Sequence, residues 1–226
     1  MQRFRLWDLP TRLFHWLLVL SVCGSFVSAK IGGNAMVWHG RFGLIVVGLV
    51  VFRLVWGFVG STYARFMHFV RGPATVLAYL RGQWSGEGHN PLGALSVLAM
   101  LGTLLLLVAT GLFANDDIAF EGPLYGLVGK ELSDRLVGIH RLVEPLIILL
   151  VVTHIAAIVF YVRFRKQGLV MPMIRGWKVG AGKAATGGGA IAFIIALILA
   201  LAAVYGASGA WIQAPPPPAA NSTPDF

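Results

Sequence analysis

The sequence predicts an all-α fold: an integral membrane helical bundle in which a four-helix core is joined by a fifth transmembrane helix. Three observations carry this. Of the 226 residues, 57% are hydrophobic and 12% charged, with a mean hydropathy of +0.77, well outside the range of soluble domains. Apolar runs of about 20 residues, the length that crosses hydrocarbon, occur five times. The Lys and Arg residues gather between alternate runs, about 13 on one expected side and about 5 on the other, so the net charge of +9 reads as membrane topology. That placement excludes nucleic acid as a partner and leaves membrane lipid as the surrounding medium.

The amino end, MQRFRLWDLPTRLFHW, is basic and leads into a first span, Leu13 to Ile31. A cleaved signal peptide competes for this run, since Val27-Ser28-Ala29 resembles a small-residue cleavage site. The length of the run and the His15 and Trp16 near its start favour a retained span. A Gly-Gly-Asn turn follows, and the second span runs from Trp38 to about Val59 with His39 in its first turn. The connection from Gly60 to Pro91 interleaves Arg65, Arg71 and Arg81 with Phe66, Phe69, Tyr79 and Trp84, the pattern of an interfacial helix broken at Gly72-Pro73. His68 and His89 lie in this connection and read as ordinary polar residues at headgroup level.

Leu92 to Ala114 is the third span, with Gly93, Gly102 and Gly111 available for close helix packing. Asn115 to Arg135 then holds Asp116, Asp117, Glu121, Glu131 and Asp134 against Lys130 and Arg135, an acidic connection. The fourth span, Leu136 to Val162, is followed by a basic stretch from Arg163 to Lys183. Gly187 to Gly206 is a fifth span, and Pro215 to Pro218 mark an extended tail. The expected organisation is a core at 1–166, a basic linker and fifth span at 167–210, and a Pro-rich tail at 211–226. The charge asymmetry places the amino terminus inside and the carboxyl terminus outside.

Ionisable residues at membrane depth ask for a function, and four histidines lie there. His140 and His154 are fourteen residues apart on the fourth span, which separates them by roughly 21 Å along one face. Under the topology above, His39 lies at the depth of His140, and His15 at the depth of His154. Two pairs result, each able to clamp one haem iron from both sides. Zinc would ask for a third or fourth protein ligand, which separated pairs do not supply. The single cysteine, Cys23, excludes covalent haem attachment and iron–sulfur ligation, so a haem would be held non-covalently. Bis-histidine ligation leaves no open position at iron and therefore suits electron transfer.

Charged neighbours fit the same reading. Arg41 and Arg141 sit beside outer ligands, and Arg12 and Arg53 beside inner ones, where guanidinium groups could pair with propionates or snorkel to lipid headgroups. Arg53 is well inside its span, where an unpaired charge costs about 2.5 kcal/mol or more. Glu144, one turn beyond His140 and next to Pro145, could take a proton from a quinol, or form an ion pair with Arg141 or Arg41. Gly43, one turn after His39, leaves room for a macrocycle, while Trp16 and Trp38 read as interfacial belts.

Arg12-Leu13-Phe14-His15-Trp16, His39 with Gly43, Arg53-Leu54-Val55-Trp56-Gly57, Gly72-Pro73 with Tyr79-Leu80, and the His140/His154 spacing resemble the bacterial cytochrome b561 and nickel-hydrogenase b-type cytochrome subunit family, over roughly Arg3 to Lys166. The resemblance implies a bundle in the bacterial inner membrane that holds two haem b groups on His15, His39, His140 and His154. It further implies electron transfer between the quinone pool and an external partner, such as a cytochrome c or a dehydrogenase subunit. Three other functions are weighed: a haem-bearing anchor of a hydrogenase-like complex, a superoxide:quinone oxidoreductase, and a haem-free transporter or scaffold.

Overall fold

The structure is a computed structural model that describes residues 2–118 and 120–212. The expected Pro-rich tail lies outside the described residues from 213 onward. Five long helices alternate in direction: α1 (Leu9–Ile31), α2 (Met36–Val59), α5 (Pro91–Gly111), α6 (Lys130–Arg163) and α8 (Ala190–Ala207). Each is long and apolar enough to cross a membrane. Between them lie three short helices, α3 (Phe66–Phe69), α4 (Pro73–Leu80) and α7 (Val170–Arg175), and two short strands, β1 (Gln2–Arg5) and β2 (Trp177–Gly180). The end of the bundle where α1 begins is called the near end, and the opposite end the far end.

Local chemistry explains where the helices start. The Asp8 carboxylate caps α1 by accepting from the Thr11 N–H at 2.6 Å, and Asn90 caps α5 by accepting from Gly93 at 2.7 Å. Proline in the first turn of α1, α4 and α5 costs no hydrogen bond, because those N–H groups have no partner within the helix. Gly72-Pro73 therefore starts α4, and the expected single interfacial helix is two short ones with an extended break at Val70. Pro145 sits inside α6, which continues through it as one helix.

Helix α2 is the centre of the bundle, with α1, α5 and α8 packed on it, while α6 packs on α5. Toward the near end, Phe14, Phe52, Trp56, Leu101, Ala196 and Ala200 form one buried cluster. Phe52 stacks on Trp56 with ring centroids 5.8 Å apart, and Phe193 of α8 meets both edge-on. Small Ala196 and Ala200 let α8 approach these rings closely, the usual basis of helix association in lipid. The fifth span is thus bound into the bundle core. A second cluster, Val46, Val50, Leu104 and Ile147, joins α2, α5 and α6 at mid-depth.

The near end carries a small cap that the helical periodicity did not indicate. Strands β1 and β2 pair antiparallel, with Arg3 opposite Val179 and Phe4 opposite Lys178. Phe4, Leu6, Trp7 and Tyr63 close over this corner as a buried cluster. The segment after β2 is fastened to the rest by Ala185 N–H donating to Arg5 at 2.7 Å and Tyr63 donating from its hydroxyl to the Lys183 carbonyl at 2.7 Å.

Candidate functional site

At the far end the structure brings His39 and His140 together, with ring centroids 6.1 Å apart and planes inclined by 74°. Each ring is oriented through Nδ1. His39 Nδ1 lies 2.9 Å from the Ser25 carbonyl and 3.1 Å from the Ser25 hydroxyl on α1. His140 Nδ1 lies 2.9 Å from the Leu107 carbonyl on α5 and 3.2 Å from the Thr110 hydroxyl. Because a carbonyl only accepts, Nδ1 carries the proton in both rings and the Nε2 lone pair is left for another group. This is the arrangement by which neighbouring carbonyls orient metal-binding imidazoles.

Glycine makes room here at two places. A Cβ on Gly111 would come within 3.1 Å of the His140 ring, so the bare backbone of α5 lets that imidazole seat itself. A Cβ on Gly43 would meet nothing within 4 Å, which leaves open space one turn from His39. Gly102 also faces open space and Gly93 faces its own capping Asn90, so Gly111 alone of the three in α5 meets a neighbouring helix.

Seven-residue spacing carries the arrangement toward the near end. On α6, His140, Ile147, His154 and Tyr161 follow one another at this interval, as do His39, Val46 and Arg53 on α2. Each step rises about 10.5 Å and returns to nearly the same face. His15 on α1 and His154 on α6 are electrostatic neighbours, and both are half-buried. The Nδ1 of His15 is buried with no hydrogen-bond partner. Ile147, Val46 and Val50, with Leu18, Val22 and Val151, fill the depth between the two pairs with apolar side chains.

Arg53 is 3% exposed, its guanidinium lies 4.7 Å above the Phe66 ring, and one terminal nitrogen has no partner. A buried cation with an unmet donor fits an anionic group brought in by a ligand. Arg12 donates from one terminal nitrogen to the Ile174 carbonyl at 2.6 Å, while its buried Nε, like the Arg53 nitrogen, has no partner. Arg41 is exposed and stacks on Trp38 at 4.7 Å, and Arg141 lines a far-end cleft of about 230 Å³ with Asn115, Asp117 and Asp134. Glu144 pairs with Lys30 at 3.0 Å, across from α6 to the last turn of α1, and not with Arg141 or Arg41. Trp16 reaches the Met173 carbonyl at 3.3 Å, while Trp38 is more than half exposed.

His89 corrects the sequence reading. It packs between Trp7 and Phe69, with ring centroids at 4.8 and 4.6 Å, and its Nδ1 is shut away from solvent without a partner. Burial pushes its pKa down to about 3, with further lowering from Arg53, His154 and His15. It therefore stays neutral and sits next to the near pair. The signal was present in His89-Asn90-Pro91: an Asn-Pro helix start fixes the preceding residue at the edge of the bundle. His68 is half-buried against Tyr63 at 5.2 Å, and burial with Arg71 and Arg65 lowers its pKa. These residues border a near-end cavity of about 300 Å³ whose walls include Phe69, Trp84, His89 and Lys183.

Beside it the Tyr79 and Tyr161 hydroxyls meet, and Asn90 donates to the Tyr79 oxygen at 3.1 Å. Burial and the Tyr161 hydrogen bond push the Tyr79 pKa up to about 12, so the phenol keeps its proton.

Among the described residues, no three His, Cys, Asp or Glu side chains converge as a metal-ion site. Paired imidazoles with oriented Nδ1 atoms, open space at Gly43 and a partnerless Arg53 nitrogen fit a haem better than a bare ion. No curated relative and no solved structure matches the chain. A family model described as prokaryotic cytochrome b561 matches residues 6–176, three-quarters of its length. The chain therefore belongs to the prokaryotic cytochrome b561 family, whose members are multi-pass bacterial membrane cytochromes that hold b-type haem for electron transfer.

Proposed function

We propose that the protein carries electrons across the inner membrane through two haem b groups, one held by His39 and His140 and one by His15 and His154. The observation that carries this is the far pair: two imidazoles 6.1 Å apart, each with its Nδ1 proton committed to a carbonyl of another helix. Bound there, the haem iron supplies one-electron reduction and oxidation without an open coordination site. The protein's own work is to orient the four rings, to exclude water with the Ile147 layer and to hold propionate charge. Arg53 serves the near haem, and Arg41 and Arg141 are placed at the level of the far one. With about 13 of the basic residues at the near end and its connections, the near end faces the cytoplasm, which puts the amino terminus inside and the carboxyl terminus outside.

Membrane quinone is proposed as one redox partner and an external cytochrome c or dehydrogenase subunit as the other. The acidic connection at 115–135 is the proposed docking face for a basic external protein, which would compete with Lys130 for Asp117 and Asp134. The test is haem quantification with redox titration of the wild type beside His39→Ala and His154→Ala. Two haems per chain are expected, and each substitution should remove a different centre. A purified wild type without a reducible b-type spectrum would return the chain to the transporter or scaffold reading, and copurification with a catalytic subunit would make it an anchor.

A further inference from the structure

Asp8 and Glu87 are the two carboxylates at the near end among the described residues, and they are used differently. Glu87 is closed off in an ion pair with Lys178 at 2.8 Å. One Asp8 oxygen accepts from the Thr11 N–H at 2.6 Å, and the other accepts from the Trp56 indole N–H at 3.0 Å. Both donors are neutral, so the full negative charge stays in place. Capping a helix does not require that charge, since Ser or Asn does it as well. A half-buried carboxylate held against a fully buried indole therefore has a further task.

Placement shows what the task is. Asp8 stands seven residues before His15, about 10.5 Å along α1 and on nearly the same face. On α2, Trp56 follows Arg53 by three positions, so the indole that grips Asp8 lies one turn from the buried guanidinium. Asp8 is the acidic group that acts on Arg53 through space, without a direct ion pair between them. The partnerless Arg53 nitrogen thus stays available to a ligand anion. Leu6 and Trp7 fix the approach to Asp8 by donating their N–H groups to the Gly176 carbonyl at 2.9 and 3.1 Å.

We propose that Asp8 is a positioning residue for the near pair, whose fixed negative charge offsets that of Arg53 and lowers the midpoint potential of the haem held by His15 and His154. The proposal rests on the dihaem reading above and names a residue that sets the level of one centre. A reduced haem carries one electron more than an oxidised one, so a negative charge close by disfavours the added electron. Removing that charge favours reduction. The far centre is out of reach: Ser25, which orients His39, is seventeen residues beyond Asp8 on α1, about 25 Å away.

The experiment is a spectroscopic redox titration of the purified, haem-loaded protein, with haem content measured on each sample and the two centres assigned by His39→Ala and His154→Ala. Wild type is compared with Asp8→Asn and Asp8→Ser, which keep a cap and drop the charge. Asp8→Glu keeps the charge, and Trp56→Phe removes the indole donor alone. At a fixed solution potential, the uncharged variants are expected to raise the ratio of reduced to oxidised near haem about three- to tenfold, or about 30–60 mV at 59 mV per tenfold. The far haem should be unmoved, and Asp8→Glu and Trp56→Phe should stay within about twofold of wild type. Either uncharged variant suffices, so failure of one to load haem leaves the test to the other. An unshifted near centre in a haem-replete uncharged variant overturns the proposal. An equal shift with Asp8→Glu or Trp56→Phe, or an equal shift of both centres, overturns it as well. Each of these results leaves the dihaem reading standing, whereas a wild type without two reducible b-type centres overturns both.

Discussion

A carbonyl oxygen has no proton to give, and that elementary fact settles the chemistry of two imidazoles. At His39 and His140 the sequence named the residues, and the carbonyls of Ser25 and Leu107 say which nitrogen is free. Those acceptors belong to other helices, so no local pattern could have shown them. Arg53 was legible because a charge deep in an apolar run demands a reason. Glu144 was legible as a charge but not in its partner, since Lys30 is remote in sequence. Arg53→Met removes a buried positive charge beside the near pair, so the midpoint potential of that centre should fall by tens of mV, roughly, with the far centre unmoved in the same titration. His89 gives a pH dependence. Its folded pKa of about 3 lies below the ordinary 6.5, so between those values the unfolded chain binds the extra proton. Stability should therefore decline as pH falls from 6.5 toward 3, and His89→Gln should flatten that decline in thermal melts followed by Trp fluorescence.

The five spans were readable from hydropathy and length, and helix boundaries fell within a few residues except at α6. That helix begins at Lys130, six residues before the expected span, because its first turns carry Lys130, Glu131, Asp134 and Arg135, charges that hide a helix from a search for apolar runs. The packing of α8 on α2 was not readable, since an all-apolar helix gives no preferred face. Ala200 is 6% exposed and Ala196 fully buried in the Phe52–Trp56 cluster, so Ala196→Leu should overpack it and cost about 1–3 kcal/mol, read as a lower Tm in detergent. Gly111→Val places a branched side chain against His140, where even a Cβ would lie 3.1 Å away. The expected result is loss of the far-pair haem signal with the near-pair signal retained, measured by the redox titration above.

For the whole molecule, charge distribution and helix count together predict which end meets which compartment. In a Cys23→Ser background, Asp117→Cys should react with a membrane-impermeant maleimide in intact cells, and Lys166→Cys only after permeabilisation. The opposite labelling would invert the bundle and put the near end outside. The two-stranded cap escaped the sequence reading because strands of four residues carry too few alternations to register beside spans of twenty. It has a consequence for biosynthesis. Gln2–Arg5 leave the ribosome well before their partner Trp177–Gly180, with four membrane helices made in between. Until then Phe4, Leu6 and Trp7 must wait uncovered by β2, and a chain halted before residue 177 would have no strand to shelter them.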